Sequence, residues 1–118
     1  MTSPDRRSRG QQAEMLAEEF LQRQGLILCC RNFYTRYGEI DRIFHDGATL
    51  VFVEVRYRRR RDYGSAAESV NLRKQQRLRL AAEAYLQSLG TSSLPDCRFD
   101  VVAIEGEPMV PDWCQNAF

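Results

Sequence analysis

The stretch Gly38-Glu39-Ile40-Asp41-Arg42-Ile43-Phe44-His45-Asp46-Gly47-Ala48-Thr49-Leu50-Val51-Phe52-Val53-Glu54-Val55-Arg56 decides the fold of this chain. Two apolar, β-branched runs flank Asp46-Gly47, a strong two-residue hairpin signal, and so read as antiparallel strands near Glu39–His45 and Thr49–Tyr57. The second run is apolar enough for a core strand, yet it carries Glu54 and Arg56. Such charges are expensive to bury unless paired, hydrogen-bonded or bound to a metal.

With Asp46-Gly47 as the turn, His45 pairs with Ala48, Asp41 lies opposite Phe52, and Glu39 lies opposite Glu54. Cross-strand partners share a face, as do residues two apart on one strand. Asp41, Glu54 and Arg56 therefore point the same way, with Asp41 diagonal to Glu54. A longer loop or a bulge breaks that parity. Two readings fit the constellation. Paired carboxylates suit a hard cation such as Mg²⁺, which takes oxygen ligands and activates water. The same three residues also make a cross-strand salt-bridge cluster that needs no metal.

Outward from the hairpin, Gly10 to Gln24 reads as a helix whose apolar stripe is Ala13, Leu16, Ala17, Phe20 and Leu21, stopped by Gly25. Glu14 sits at the border of that stripe. Leu26 to Arg31 reads as a strand and Asn32 to Gly38 as irregular. Arg58 to Ser69 is a polar, basic loop, after which Asn71 caps a second helix ending near Leu89-Gly90. Its inward face is Leu78, Ala81, Ala82, Tyr85 and Leu89. Lys74 continues that stripe toward the N-terminal end and Gln75 flanks it, so both approach the charged face of the sheet. Lys74 reads equally as an edge lysine laying its stem over apolar surface. Arg98 to Ile104 and Met109 to Trp113 complete an αβββαβ(β) order, a mixed sheet packed by helices.

Composition sets the outer bounds. At 118 residues, 43% hydrophobic and 28% charged, the chain reads as one soluble α/β domain over residues 10–118 behind a flexible polar tail, 1–9. No apolar run approaches the roughly 20 residues that span a bilayer, and the N-terminus has no signal-peptide core, so a cytoplasmic location is expected. Cys29, Cys30, Cys97 and Cys114 lack CxxC spacing and His45 is the lone histidine, poor material for a zinc site; the cysteines read as reduced thiols. The net charge of +1 conceals nine basic and two acidic residues between Arg56 and Arg79. That segment fits either a solvated surface or a nucleic-acid partner.

Taken together, Gly10-x-x-x-Glu14, Arg31-Asn32, Gly38-Glu39-Ile40-Asp41, Val51 to Arg56, Glu68-Ser69-Val70, Lys74 and Arg98 to Val102 resemble the YraN family of small bacterial proteins. The resemblance runs from Gly10 to Ile104. Through that family the chain is similar to the PD-(D/E)xK nuclease superfamily, particularly archaeal Holliday junction resolvases. The resemblance implies a restriction-endonuclease-like αβββαβ core. It also implies metal ligation by Asp41, Glu54 and the Val55 carbonyl, with Glu14 assisting. Arg56 stands where the superfamily carries its signature lysine. Arginine keeps the charge but cannot lose its proton, which rules out a neutral base at position 56. Lys74 is then a candidate substitute from the neighbouring helix.

The expectation is a Mg²⁺- or Mn²⁺-dependent endonuclease acting on DNA phosphodiester bonds, at branched or flapped structures. Arg58, Arg59, Arg60, Arg61, Lys74 and Arg77 would contact the backbone without reading sequence. RNA stays open as a substrate, and paired cuts across a junction would call for a homodimer. Two alternatives stand beside this: a nucleic-acid-binding module of the same fold with weak or lost cleavage, and a protein-interaction partner in DNA repair or uptake.

Overall fold

Gly47 sets the register of the central hairpin. The computed structural model describes residues 6–58 and 67–118. In it Asp46 pairs with Thr49, so the turn residues are Gly47-Ala48 and not Asp46-Gly47. The reason is conformational. The first turn position needs a positive φ, which Gly47 adopts at 59° without the Cβ clash that Asp46 would meet. This register moves the strands by two residues, so the face assignment survives and Asp41 comes level with Glu54 instead of Phe52.

The elements are α1 (Arg6–Arg23), β1 (Ile27–Thr35), β2 (Gly38–Asp46), β3 (Thr49–Arg58), a 3₁₀ turn (Ala67–Ser69), α2 (Leu72–Ser88), β4 (Cys97–Glu105) and β5 (Val110–Cys114). They realise the expected αβββαβ order with the short fifth strand. One sheet runs β1-β2-β3-β4-β5, antiparallel throughout except for β3 and β4. A parallel pair needs a long crossover, and the segment containing α2 provides it. Asn71 caps α2 by accepting from the Lys74 N–H, as its residue type predicts. No described helix is long and apolar enough to cross a membrane.

The helices cover opposite faces of the sheet. Ala13, Ala17 and Leu21 of α1 pack on Phe44, Val51 and Val53. Leu78, Ala81 and Ala82 of α2 pack on Ile43, Leu50 and Phe52. β3 therefore buries successive side chains on both sides, which explains its nearly unbroken apolar run. Each large side chain so buried contributes about 1.5–3 kcal/mol.

Three expectations need correction. α1 starts at Arg6, so the helix reaches into the segment read as a tail. β1 continues through Asn32 to Thr35, where an irregular stretch was expected, because Asn32 absorbs the distortion at φ 51° while the pairing resumes at Phe33. Leu89 is not inward: it is the C-cap residue of α2 and is exposed, and Leu86 packs instead.

One buried ion pair fastens α1 to the sheet. Arg42 of β2 donates from Nε to Glu18 Oε1 at 2.8 Å, with each side chain only 3% exposed. Arg31 of β1 grips the same carboxylate with two bonds of 2.7 Å. Arg31 first, and then Arg42, holds the Glu18 carboxyl below its ordinary value against the opposing effect of burial. Its contribution to stability is thus present above the unfolded value of 4.5 and is lost as the pH falls through the folded one. Glu18→Gln removes the charged partner that lies 2.8 Å from a buried guanidinium and should cost about 3 kcal/mol in urea unfolding at pH 7. Glu19→Gln, in the exposed pair with Arg23, should cost no more than about 0.5 kcal/mol. Equal losses for the two variants would contradict this account of the pair.

Candidate functional site

Strict alternation fails at one level of the sheet, and the acidic residues gather there. Ile40 and Ile43 are three apart on β2 yet pack in the same cluster under α2; on β1, Cys30 and Phe33 do the same. Both strands slip phase together, and the residues within the slip are Asp41 and Asn32. Asp41 consequently meets groups from both faces of the sheet. Its Oδ2 accepts from the Val55 N–H at 2.8 Å, so a side chain ties β2 to β3 just beyond the Arg42–Val53 pair.

Toward α1, one carboxylate oxygen each of Glu14, Glu39 and Asp41 lie within 4.8 Å of one another. Asn32 arranges two of them: its Nδ2 donates to Glu39 Oε1 at 2.6 Å and lies 3.4 Å from Glu14 Oε2. Its Oδ1 accepts from Arg42 Nη1 at 3.2 Å, and Arg42 Nη1 lies 3.6 Å from Glu14. A groove of about 470 Å³ opens here, walled by Glu14, Asn32, Glu39 and Arg42, with Arg31 and Tyr34 also lining it. Toward α2, Glu54 lies close enough to Asp41 to push its carboxyl pKa up. Glu54 is buried, and its Oε2 has no hydrogen-bond partner among the described residues although Lys74 Nζ sits 3.4 Å away as an ion pair. A separate depression over Gln11, Met15 and Glu19 is walled by α1 alone and gathers no residues from other elements.

The sequence-predicted residues divide as follows. Asp41, Glu54, Glu14 and Lys74 fall in one neighbourhood, and Val55 adjoins it through its N–H. Arg56 follows Glu54 on β3, half-buried, with Nε lacking a hydrogen bond to any described residue. Arg58 instead pairs with Glu105, and Arg77 is exposed on α2. Arg59, Arg60 and Arg61 lie outside the described residues. Gln75 caps locally, donating to the Val70 carbonyl. Sequence reasoning gave no site role to Glu39, Asn32 or the Glu18–Arg42 pair. The available signal was Arg42 itself, a cation set among Ile40, Ile43 and Phe44 that demanded an acidic partner. Asp100, in the Arg98–Val102 motif, does structural work: fully buried, it accepts from Arg98, Trp113 Nε1 and the Asn116 N–H.

Glu14, Glu39 and Asp41 cluster, with Glu54 beside Asp41 and its buried Oε2 without a hydrogen bond among the described residues; oxygen donors of this kind fit Mg²⁺ or Mn²⁺ better than a soft metal. Burial, and then the neighbouring Glu54, push the Asp41 carboxyl up to about 10. Without a cation the folded chain therefore keeps a proton that the unfolded chain releases above about pH 3.8. Stability in metal-free buffer falls as the pH rises between those limits, by at most ~1.4 kcal/mol per pH unit. Asp41→Asn retains an acceptor for Val55 and removes the slope. It should be more stable than wild type by about 1–3 kcal/mol at pH 8, with the gap closing toward pH 4, when thermal unfolding is followed in EDTA. A variant less stable than wild type at pH 8 would contradict this reading of the carboxylates.

Residues 13–104 match the family described as "Uncharacterised protein family UPF0102". A UPF0102 protein of Psychromonas ingrahamii is 48% identical over 111 residues, 94% of this chain and 89% of the relative. One from Pseudomonas syringae pv. syringae is 48% identical over 121 residues, covering 100% and 98% of the two chains. One from Aeromonas hydrophila is 49% identical over 116 residues, covering 98% and 88%. The chain belongs to the UPF0102 family, the YraN family of the sequence resemblance.

Proposed function

We propose that this chain is a metal-dependent, endonuclease-like protein that hydrolyses DNA phosphodiester bonds, with branched or flapped DNA as its substrate. The observation that carries this reading is the Asp41–Glu54 contact, with Lys74 Nζ 3.4 Å from Glu54 and Glu14 and Glu39 on the other side of Asp41. Charge so concentrated is costly to a fold unless a ligand offsets it. Asp41, Glu54 and the Val55 carbonyl would hold the ion, with Glu14 alongside. When bound there, Mg²⁺ or Mn²⁺ supplies Lewis-acid chemistry, acidifying water and offsetting phosphate charge.

The chain's own groups have defined parts in this scheme. The Val55 N–H orients Asp41. Arg56 serves as a permanent cation that steadies the phosphate; a guanidinium does not take up a proton from water. Lys74 places a second, mobile ammonium beside Glu54, where it both balances that carboxylate and meets an incoming phosphate.

Purified protein with Mg²⁺ or Mn²⁺ should cut flapped or four-way DNA in preference to linear duplex. Asp41→Asn and Glu54→Gln should each lower the rate at least about 100-fold, the scale of losing a group that stabilises transition-state charge. Arg56→Lys should remain active. Cleavage undiminished by Asp41→Asn would mean a contaminating nuclease and sink the assignment. Arginine at position 56 also favours a second reading, a module that binds nucleic acid without cutting it. Tight DNA binding with no cleavage in wild type or Arg56→Lys would select it.

A further inference from the structure

Cations from two elements converge on a groove distinct from the acidic one. Arg36-Tyr37 forms the turn between β1 and β2, and the Thr35 hydroxyl fixes that turn. Thr35 Oγ1 accepts from the Tyr37 and Gly38 N–H groups at 3.0 and 3.2 Å and donates to the Gly38 carbonyl at 2.9 Å. The Arg36 guanidinium lies 4.9 Å from the Tyr37 ring centroid and donates to the Tyr37 hydroxyl at 2.7 Å. Its orientation is thereby held, while four of its five N–H donors have no hydrogen-bond partner among the described residues. Across from the turn stands Arg77 of α2. The groove between them measures about 500 Å³; among the described residues its lining is Thr35, Arg36, Tyr37, Gly38, Arg77 and the half-exposed Leu80, none of them acidic.

Lys74 lies three residues before Arg77, on the same helix side and one turn nearer the sheet's carboxylates. Its ammonium is the one that touches Glu54. A row therefore leads from Glu54 through Lys74 and Arg77 to Arg36. Two guanidinium forks, that of Arg36 held by Tyr37 and that of Arg77 exposed on α2, flank a groove of mixed polarity and match a sugar–phosphate backbone, whose oxygens take bidentate guanidinium contacts.

We propose that Lys74, Arg77 and Arg36 form a phosphate track, and that the β1–β2 turn is the wall that holds the DNA strand running out from the carboxylates. This rests on the nuclease reading for the destination of the strand. It adds a contact surface made by the β1–β2 turn. Tyr37 is a positioning residue, acting through Arg36.

Fluorescence anisotropy in EDTA, with flapped and linear duplex DNA between 50 and 200 mM salt, tests the track. Wild type, Arg36→Gln, Arg77→Gln, the double variant and Glu19→Gln would be compared. Both arginines stand at the surface, and circular dichroism should confirm unchanged folding. Each Gln variant should lower the slope of log affinity against log salt by about 0.9, and the double variant by about twice that. Glu19→Gln, in the exposed pair with Arg23 on α1, should keep the full slope. An unchanged slope in the double variant overturns the track and points to an acidic protein partner in that groove. Wild type that does not bind DNA at 50 mM salt overturns it as well. Cleavage that depends on Asp41 with an unaltered slope removes the track alone. A reduced slope without such cleavage removes the nuclease reading and leaves the track standing.

Discussion

Arg42 is the constraint around which the rest of the structure is arranged. A guanidinium 3% exposed inside a sheet must be answered by charge and hydrogen bonds, and here the answers come from α1 and β1. Glu18 neutralises it and thereby fixes the height of α1 over the sheet. Asn32 accepts from it at the point where its backbone is left-handed, φ 51°, and both strands slip. Glu14, one helical turn before Glu18, is then carried to within reach of Asp41. An ion pair of this kind adds little net stability over an apolar substitute. What it contributes here is position.

The slip also explains how a two-sided sheet can bring carboxylates from both faces to one spot. In a regular strand Asp41 would face one helix only. Out of phase, it contacts Glu54 on the α2 side and neighbours Glu14 and Glu39 on the α1 side. The cost is visible in the direction of the Asp41 shift, since burial and Glu54 both oppose its ionisation. Keeping such a group at the seam of the sheet costs stability.

Much of this was legible in the residues, and the gaps have physical causes. The αβββαβ order follows from hydrophobic period and from the capping chemistry of Asn71 and Gly25. The hairpin turn was misplaced because Asp-Gly is a strong turn pair by composition, whereas the φ requirement at the first turn position selects Gly47. The error was harmless because a shift of two preserves faces. Parity places Asp41 and Glu54 on one face; what alternation alone does not foresee is the slip that also brings Asp41 to Glu14 and Glu39. Glu18 was missed because a glutamate beside an apolar helical stripe ordinarily faces water. Its burial is comprehensible only once Arg42 is known to lie beneath it. Leu89 was placed inward because helical periodicity says nothing about where the last turn ends.

We propose that these carboxylates are held together to bind a divalent cation. Calorimetric titration of the metal-free protein with Mn²⁺ tests it most directly, independent of any substrate. The account predicts one saturable site in wild type and Glu19→Gln, absent in Asp41→Asn and Glu54→Gln. Wild-type protein that takes up no Mn²⁺, or Asp41→Asn protein that binds it as well as wild type, would contradict the account.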